Sequence, residues 1–227
     1  MLLELQNISK YYENPGTGIR QIVLSDISLQ VKKGDSMAIV GPSGSGKSTL
    51  LNIMGSLDRP VSGKLLFNGT DVESLDDASL AEFRNRNIGF VFQLHHLLPQ
   101  LNALENILLP TLTMNNKTYR KAAVERAKEL LSFVNLKDKI NQYPGNMSVG
   151  ECQRIAVVRA LINQPEIILA DEPTGSLDKA SAENLGEMLN KLNRDFQVAM
   201  VVVTHSQLLA ESMALRYSLS EGKLDTA

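Results

Sequence analysis

The chain has 227 residues, with 23 basic and 25 acidic side chains and a formal net charge of -2. That length is enough for one large domain with its own hydrophobic core, and the near-neutral charge gives no global electrostatic field that would select nucleic acid as a partner. The single cysteine, Cys152, and the 3 histidines leave no intramolecular disulfide and no Cys/His spacing for zinc. We therefore expect a protein of a reducing compartment that holds any anion by local contacts.

The amino-terminal part, to about residue 93, predicts mainly strands. Short segments rich in Ile, Val, Leu and Phe alternate with Gly, Asn, Asp and Pro: LLELQNIS, IVLSDISLQV, SMAIVG, KLLFNG and IGFVFQ. The start, MLLELQNISK, has an acid at Glu4 and no basic region before an apolar stretch, so no signal peptide is expected. The longest apolar runs have the length of core strands, so we expect any membrane-spanning segment to belong to another chain.

The segment GPSGSGKST follows the strand SMAIV and precedes the helix-forming run KSTLLNIMGSL. It fits the phosphate-binding pattern G-x-x-x-x-G-K-[ST] in the strand, loop and helix context that this pattern requires. Backbone N–H groups of such a loop turn towards a phosphate, Lys47 is expected to reach the terminal phosphates, and Ser48 to ligate Mg²⁺. The predicted nucleotide-binding residues of this loop are Gly41, Pro42, Ser43, Gly44, Ser45, Gly46, Lys47, Ser48 and Thr49.

From Leu94 to about Met147 the pattern predicts helices. The run TYRKAAVERAKELLSFV places apolar residues on one helical face, opposite Lys and Arg. These residues are Ala123, Ala127, Leu130, Leu131 and Val134. Ser148 and Glu151 then have the S-x-x-E spacing of a capping box at the start of another apolar run. We predict a helical subdomain over residues 94–154, inserted into a core of residues 1–93 and 155–227.

After residue 155 the chain alternates helix, strand IILAD, helix from about Lys179, strand AMVVV, helix and a terminal hairpin. This alternation predicts a parallel sheet covered on both faces. The strand IILAD ends at two adjacent carboxylates, Asp171 and Glu172, which raise one another's pKa unless a cation intervenes. Because a phosphate loop is present, we expect Asp171 to hold Mg²⁺ and Glu172 to polarise the attacking water.

Together these motifs resemble the ATP-binding subunit of an ATP-binding cassette (ABC) transporter over essentially the whole chain. The resemblance implies an α/β fold: a P-loop NTPase (RecA-like) core with an N-terminal antiparallel β-subdomain and the inserted helical subdomain. The segment MSVGECQR, residues 147–154, resembles the family's LSGGQ-x-QR signature, which completes the ATP site of a facing subunit. The resemblance assigns this contact to Ser148 and Gly150, while Val149 replaces the first signature glycine and Met147 the usual leucine.

The resemblance also implies roles for isolated residues elsewhere. Gln93, after the strand IGFVFQ, matches a glutamine that contacts Mg²⁺ and reports to the membrane subunit. Asp178, at the end of the segment GSLD, matches the loop that crosses the dimer interface, and His205 matches a histidine that contacts the terminal phosphate. Tyr12 matches the aromatic residue that stacks on adenine, with Tyr11 as the neighbouring alternative. The catalytic set implied is Lys47, Gln93, Glu172 and His205.

Within the family, the segment FQLHHLLPQLNALENILLP, residues 92–110, resembles ATPases of lipoprotein-releasing, macrolide-exporting and cell-division systems, and its H-H-L-L-P wording favours the first. We interpret His95 and His96 as a surface turn without metal, because no Cys or carboxylate partner accompanies them. The leucines of this segment are too many for a free loop, and some are expected to pack inside while others line a groove for a partner's helix. They are Leu94, Leu97, Leu98, Leu101 and Leu104.

The function implied is that of a transporter motor. Two copies are expected to close around two ATP molecules with Mg²⁺ and to move integral membrane subunits from the cytoplasmic face of the inner membrane, with no nucleic acid bound. One alternative is a soluble ABC ATPase of DNA repair or translation, but those need a long heptad insert or two cassettes, whereas this chain has one cassette and an insert of about fifty residues without sustained heptads. A regulatory ATPase of the division site remains open.

Overall fold

The computed structural model describes residues 1–13, 16, 18–113 and 117–227, apart from the side chain of Lys117. In chain order the elements are β1 (Leu3–Glu13), β2 (Arg20–Val31), β3 (Ser36–Val40), α1 (Lys47–Met54), β4 (Ser62–Phe67), β5 (Thr70–Asp71), α2 (Asp77–Asn87), β6 (Ile88–Val91), α3 (Ala103–Leu108), α4 (Lys117–Phe133), α5 (Val149–Leu161), β7 (Ile167–Asp171), α6 (Lys179–Phe196), β8 (Ala199–Val203), α7 (Gln207–Glu211), β9 (Leu215–Ser220) and β10 (Lys223–Thr226). Short 3₁₀ turns connect several of them.

The strands form two sheets. An antiparallel sheet has the order β2-β1-β4-β5, and a six-stranded sheet has the order β10-β9-β3-β8-β7-β6. In the larger sheet every neighbouring pair is parallel except β10 with β9, the terminal hairpin. Because parallel strands end at the same edge, the segments that follow β3, β6, β7 and β8 come together at one side of the molecule.

The central strands are buried on both faces, as a parallel sheet requires. Along β7, Ile167 and Leu169 pack in one core with α1 and the antiparallel sheet, while Ile168 and Ala170 pack in a second core with α5, α6 and the helical section. This strict alternation follows from the twofold period of a strand. Helix α1 is thereby fixed beneath the carboxyl edge of β3, where the phosphate loop lies.

The predicted fold class is confirmed: the core is α/β, with an antiparallel sheet formed by the first part of the chain and helices between β6 and β7. The predicted apolar face is buried at every one of its positions, from Ala123 to Leu131 within α4 and at Val134 just after the helix. The division at residues 93 and 154 stays a prediction. Residue 154 lies within α5, so that helix is shared by the helical section and the core.

The structure adds a second helix to the first 93 residues, which the sequence predicts to be mainly strands. Helix α2 lies there, capped by the Asp76 carboxylate, which accepts from Ser79 N. Its apolar pattern is weak because Leu80 is its only buried residue among those the structure describes. Arg84 and Arg86 in its last turn stabilise the helix, because their positive charges interact favourably with the negative end of the helix dipole.

The loop before α3 is organised by a buried asparagine. Asn106 Nδ2 donates to the carbonyls of Leu98, Leu101 and Asn102, while its Oδ1 accepts from Leu98 N at 2.8 Å. Of the leucines in this segment, Leu97 is buried and Leu104 packs against the core, whereas Leu94 and Leu98 are exposed.

In the described residues, no helix has both the length and the apolarity to cross a membrane.

Candidate active site

The phosphate loop lies between β3 and α1, as its sequence context predicts. Lys47, the first residue of α1, is buried, and its Nζ donates to the carbonyls of Gly41 at 2.9 Å and Pro42 at 3.0 Å. The ammonium group is therefore held across the mouth of the loop by its own main chain. The amino end of α1 points its unpaired N–H groups into the same space, where an anion is favoured.

Two glycines are required by the shape of this loop. Gly46, at the helix N-cap, has φ 99°, and a Cβ there would lie 2.8 Å from Val23 Cγ1. A Cβ on Gly41 would lie 2.2 Å from the carbonyl oxygen of Leu219. Any other residue would displace the backbone at these positions, so the loop can close only with glycine.

Ser48 and Asp171 meet where α1 approaches the end of β7. Ser48 Oγ donates to Asp171 Oδ1 at 3.1 Å. Burial raises the pKa of Asp171, and the negative charge of Glu172 raises it further, against the lowering effects of the Ser48 hydrogen bond and of Lys47. A hydroxyl and a carboxylate in this arrangement match the oxygen ligands that Mg²⁺ takes from proteins.

Glu172 lies next to His205, at the ends of neighbouring strands β7 and β8. The Glu172 carboxylate accepts from His205 N at 3.1 Å, and its Oε1 lies 2.7 Å from His205 Nδ1. A carboxylate oxygen only accepts, so we assign the proton to Nδ1, which leaves Nε2 directed elsewhere. Glu172 itself has φ 46°, a left-handed conformation that a non-glycine residue adopts at a cost of about 1 kcal/mol or more.

Gln93 follows β6 and lines the same cleft. Its carbonyl oxygen accepts from Ser176 Oγ at 3.0 Å. Gly175 packs so closely on the Gln93 side chain that a Cβ would lie 3.0 Å from Nε2. The loop after β7 therefore restricts where the Gln93 amide can point.

Tyr12 lines the cleft, whereas Tyr11 packs against Arg20, whose guanidinium lies 4.7 Å from its ring centroid. The Tyr12 hydroxyl donates to Asp58 Oδ2 at 3.0 Å, and Lys10 Nζ donates to Asp58 Oδ1 at 2.6 Å. Burial alone would raise the pKa of Asp58, but the hydrogen bonds from Lys10, Tyr12 and the backbone outweigh it and lower that pKa.

The cleft has a volume of about 510 Å³ and opens to solvent. It is lined by Ser43, Gly44 and residues 46–49 of the phosphate loop, by Tyr12, Gln93, Glu172 and His205, and by two residues that the sequence does not predict, Gln21 and Val23. The twofold period of β2 predicts that Gln21 and Val23 share one face of the strand. Nothing in the residue types alone marks them as ligand contacts.

Three predicted site residues lie outside this cleft, at helix starts. Ser148 caps α5: its Oγ accepts from Glu151 N at 3.2 Å, and the Glu151 carboxylate accepts from Ser148 N at 2.8 Å, so the predicted capping box is confirmed. The backbone bond from Ser148 is the main cause of a lowered Glu151 pKa. Asp178 caps α6 by accepting from Ser181 N at 3.0 Å. Gly150 lies beside Ser181, so the two helix starts are neighbours.

The two histidines of the H-H-L-L-P segment take part in contacts that stabilise the loop. His95 Nδ1 accepts from Leu97 N at 3.1 Å, and burial lowers the His95 pKa, with electrostatic contributions from Arg159 and His96 adding to the effect. Within the described ranges, no group of three or more His, Cys, Asp or Glu side chains is placed to hold a metal ion. A magnesium site formed by Ser48, Asp171 and nucleotide phosphates needs no such group, because Mg²⁺ usually takes only one or two carboxylates.

A nucleoside triphosphate fits these residues. Gly44 leaves open space at the loop, the Lys47 ammonium already binds oxygen atoms at its mouth, and the Tyr12 ring lines the same cleft. The donors at the loop are backbone N–H groups and one cation, which is the chemistry that binds phosphate.

The chain is similar to known proteins over its full length. The ABC transporter family model matches residues 24–175. The lipoprotein-releasing system ATP-binding protein LolD of Geobacter metallireducens is 47% identical over 224 residues, covering 98% of this chain and 97% of the relative. LolD of Myxococcus xanthus is 44% identical over 226 residues, covering 100% and 99%.

Solved structures give the same result. The dimeric structure of MJ0796, a bacterial ABC transporter cassette, has a TM-score of 0.86 and 37% identity, covering 99% of this chain and 98% of that one. A second dimeric structure of MJ0796, bound to ADP and Pi after hydrolysis, has the same TM-score, identity and coverage. The chain therefore belongs to the ABC transporter family, as an ATP-binding subunit that hydrolyses ATP.

Proposed function

We propose that this chain hydrolyses ATP with Mg²⁺ as one of two paired subunits and drives a separate membrane subunit in lipoprotein release. The observation that carries the catalytic part is that Lys47, Ser48 and Glu172 line one cleft, in which Ser48 donates to Asp171, although these residues come from two segments far apart in sequence. The transport part rests on the full-length similarity to the LolD relatives.

Lys47 is the residue that holds the terminal phosphates. In the present geometry its ammonium donates to two loop carbonyls, and phosphate oxygens at the same mouth are stronger acceptors for it because they are charged. Ser48 Oγ and the Asp171 carboxylate would hold Mg²⁺, which neutralises charge on the phosphates, and the Gln93 amide is a further candidate ligand. Tyr12 supplies an aromatic face for the base.

Glu172 is the residue that takes the proton from the attacking water. Its carboxylate is fixed by two contacts from His205, one from the backbone N–H and one from Nδ1. Such fixation matters because general-base catalysis depends first on geometry. His205 Nε2 points away from Glu172 and is available for the terminal phosphate, the role that the family resemblance assigns to it.

Ser148, Gly150 and Asp178 complete the site of a facing subunit. They lie at two neighbouring helix starts and not in the cleft of their own chain, so a second copy is needed to bring them to a nucleotide. A helix start offers its N–H groups to an anion, and Ser148 adds a hydroxyl. The dimeric MJ0796 cassette supports this pairing.

The membrane partner would contact the exposed leucines Leu94 and Leu98, which lie in the segment after Gln93. A neighbouring groove of about 400 Å³ is lined by Leu57, Phe90 and Phe92 and by two arginines, Arg84 and Arg159. Apolar groups rimmed by charge are typical of a surface that binds a partner's helix. Through this contact the chain would be held at the cytoplasmic face of the inner membrane.

Purification of the chain with its membrane partner from native cells tests the proposal. The complex, reconstituted in lipid vesicles with a lipidated protein, should hydrolyse ATP and release that protein, and a complex carrying Glu172→Gln should do neither. ATP hydrolysis without release of any lipidated protein would reject lipoprotein release while leaving the ATPase assignment intact.

A further inference from the structure

Gln153 is a fully buried polar residue, at 0% exposure, in the second turn of α5. Its Nε2 donates to the carbonyl oxygen of Phe92 at 2.7 Å. Its Oε1 is also buried and has no hydrogen-bond partner among the described protein atoms. Burying an amide with only half of its hydrogen bonds made is unfavourable, so packing alone would favour an apolar side chain of the same length here.

The carbonyl that Gln153 binds belongs to the residue before Gln93. The next carbonyl, that of Gln93, accepts from Ser176 Oγ at 3.0 Å. Two consecutive carbonyls are therefore fixed by side chains from two different elements, α5 and the loop after β7. Together they set the orientation of the peptide plane from which the Gln93 side chain extends into the cleft.

A second contact joins α5 to the same loop. The Arg159 guanidinium donates to the carbonyls of His95 and His96, both at 2.8 Å. Residues 92–96 are thus bonded to α5 at both ends, and the helix and the loop are expected to move as one unit. The start of this helix carries Ser148, which the proposed function places against the nucleotide of the facing subunit.

We propose that Gln153 is a positioning residue for ATP hydrolysis, which acts by holding Gln93 at the nucleotide through the backbone of Phe92. The inference rests on the proposed function, because it assumes that Gln93 contacts the nucleotide or its Mg²⁺. Gln153 touches neither. It ties the position of Gln93 to that of α5, so a shift of this helix on contact with a facing subunit is passed to the site of its own chain.

Gln153→Met tests this, because methionine keeps the length and volume but has no donor. Loss of one neutral hydrogen bond predicts a fall in kcat of about tenfold. Affinity for ATP without Mg²⁺ should be unchanged, since the phosphate loop is untouched, whereas the Mg²⁺ concentration for half-maximal turnover should rise. The matched control is Gln142→Met, on an exposed glutamine outside the site, which should behave as the parent chain.

The double variant with Gln93→Ala separates positioning from a general structural role. If Gln153 acts through Gln93, adding Gln153→Met to Gln93→Ala should lower kcat no further. Effects that multiply, or an unchanged kcat and Mg²⁺ requirement in Gln153→Met, would overturn the proposal. If Gln153→Met does not fold, Ser176→Ala removes the companion contact from an exposed side chain and must show the same dependence on Gln93.

Glu172→Gln in the same assay distinguishes an error in the proposed site from an error in the role given to Gln153. Normal turnover in Glu172→Gln would mean that the proposed site itself is wrong. Loss of turnover in Glu172→Gln together with normal turnover in Gln153→Met would leave the site intact and reject only the role of Gln153.

Discussion

Val149 is the residue by which this chain departs most from its family's signature, and its removal gives a sharp test of how the facing site closes. It occupies the first helical position of α5, directly after the cap Ser148, and its side chain is 51% exposed. If the start of α5 meets the nucleotide of a second copy, this valine adds bulk at that contact. We expect Val149→Gly to increase ATP-driven dimerisation and turnover.

Ser148→Ala is the matched comparison for Val149→Gly, because the two variants should lose similar stability. Val149→Gly loses a half-exposed side chain and some helix propensity, together about 1 kcal/mol. Ser148→Ala loses a helix cap, which is also worth about 1 kcal/mol. In a domain of this size each variant should therefore lower the melting temperature by about 2–4 °C. Their effects on closure should be opposite, because under the proposed function only Ser148→Ala removes a phosphate ligand.

The assay is gel filtration or sedimentation with ATP in a Glu172→Gln background, which should hold the closed dimer, alongside phosphate release in the parent chain. Equal small losses of thermal stability with opposite changes in dimerisation would support a steric brake. If Val149→Gly dimerises no better than the parent chain, or less well, the valine fits the interface and the reasoning is wrong.

Four further changes test the site and the fold. Glu172→Gln should keep ATP binding but lower phosphate release by about 10²–10⁴-fold, because the amide cannot accept the proton; near-normal release would remove Glu172 from this role. Lys47→Ala should weaken ATP binding itself in calorimetry, since a cation at the phosphates is lost, and an unchanged affinity would contradict the assignment. Asp171→Asn should raise the melting temperature at neutral pH, because burial raises the Asp171 pKa and so the folded chain carries the ionised carboxylate at a cost. That gain should shrink as pH falls through the raised pKa, and a gain independent of pH would show that charge is not its cause. Asn106→Ala should lower the free energy of unfolding in urea by about 3 kcal/mol, because several buried carbonyls and the Leu98 N–H lose their partner; a loss below about 1 kcal/mol would mean that the loop rearranges.

The parts of the fold that follow from sequence are those in which local pattern and packing agree. The strands IILAD and AMVVV are continuous apolar runs, as strands buried on both faces must be, and the structure places both in the centre of the sheet. The phosphate loop is equally predictable from the sequence, because its glycines are required by the backbone geometry of a few consecutive residues. The family resemblance supplied the antiparallel sheet of the first part.

Helix α2 shows where pattern reasoning fails. Its only buried residue is Leu80 within the described ranges, so the 3.6-residue period is nearly absent, and the cap at Asp76 and the arginines at its end were the remaining signals. The contact between Glu172 and His205 was also not foreseen. It requires β7 and β8 to be neighbours ending at one edge, and the left-handed φ of Glu172 has no signature in the residue type.

The site residues of this chain divide into two groups according to how far away in the sequence their hydrogen-bond partners lie. Ser48, Glu172 and His205 depend on contacts between segments distant in sequence, so each needs the finished fold before it can reach a nucleotide. Ser148 and Asp178 are satisfied within one helical turn, by Glu151 and Ser181. A locally complete cap needs nothing further from its own subunit, and it keeps its helix start rigid and exposed. That difference explains why the sequence alone places these residues at helix starts. Under the proposed function, the nucleotide that they contact is bound by a second copy.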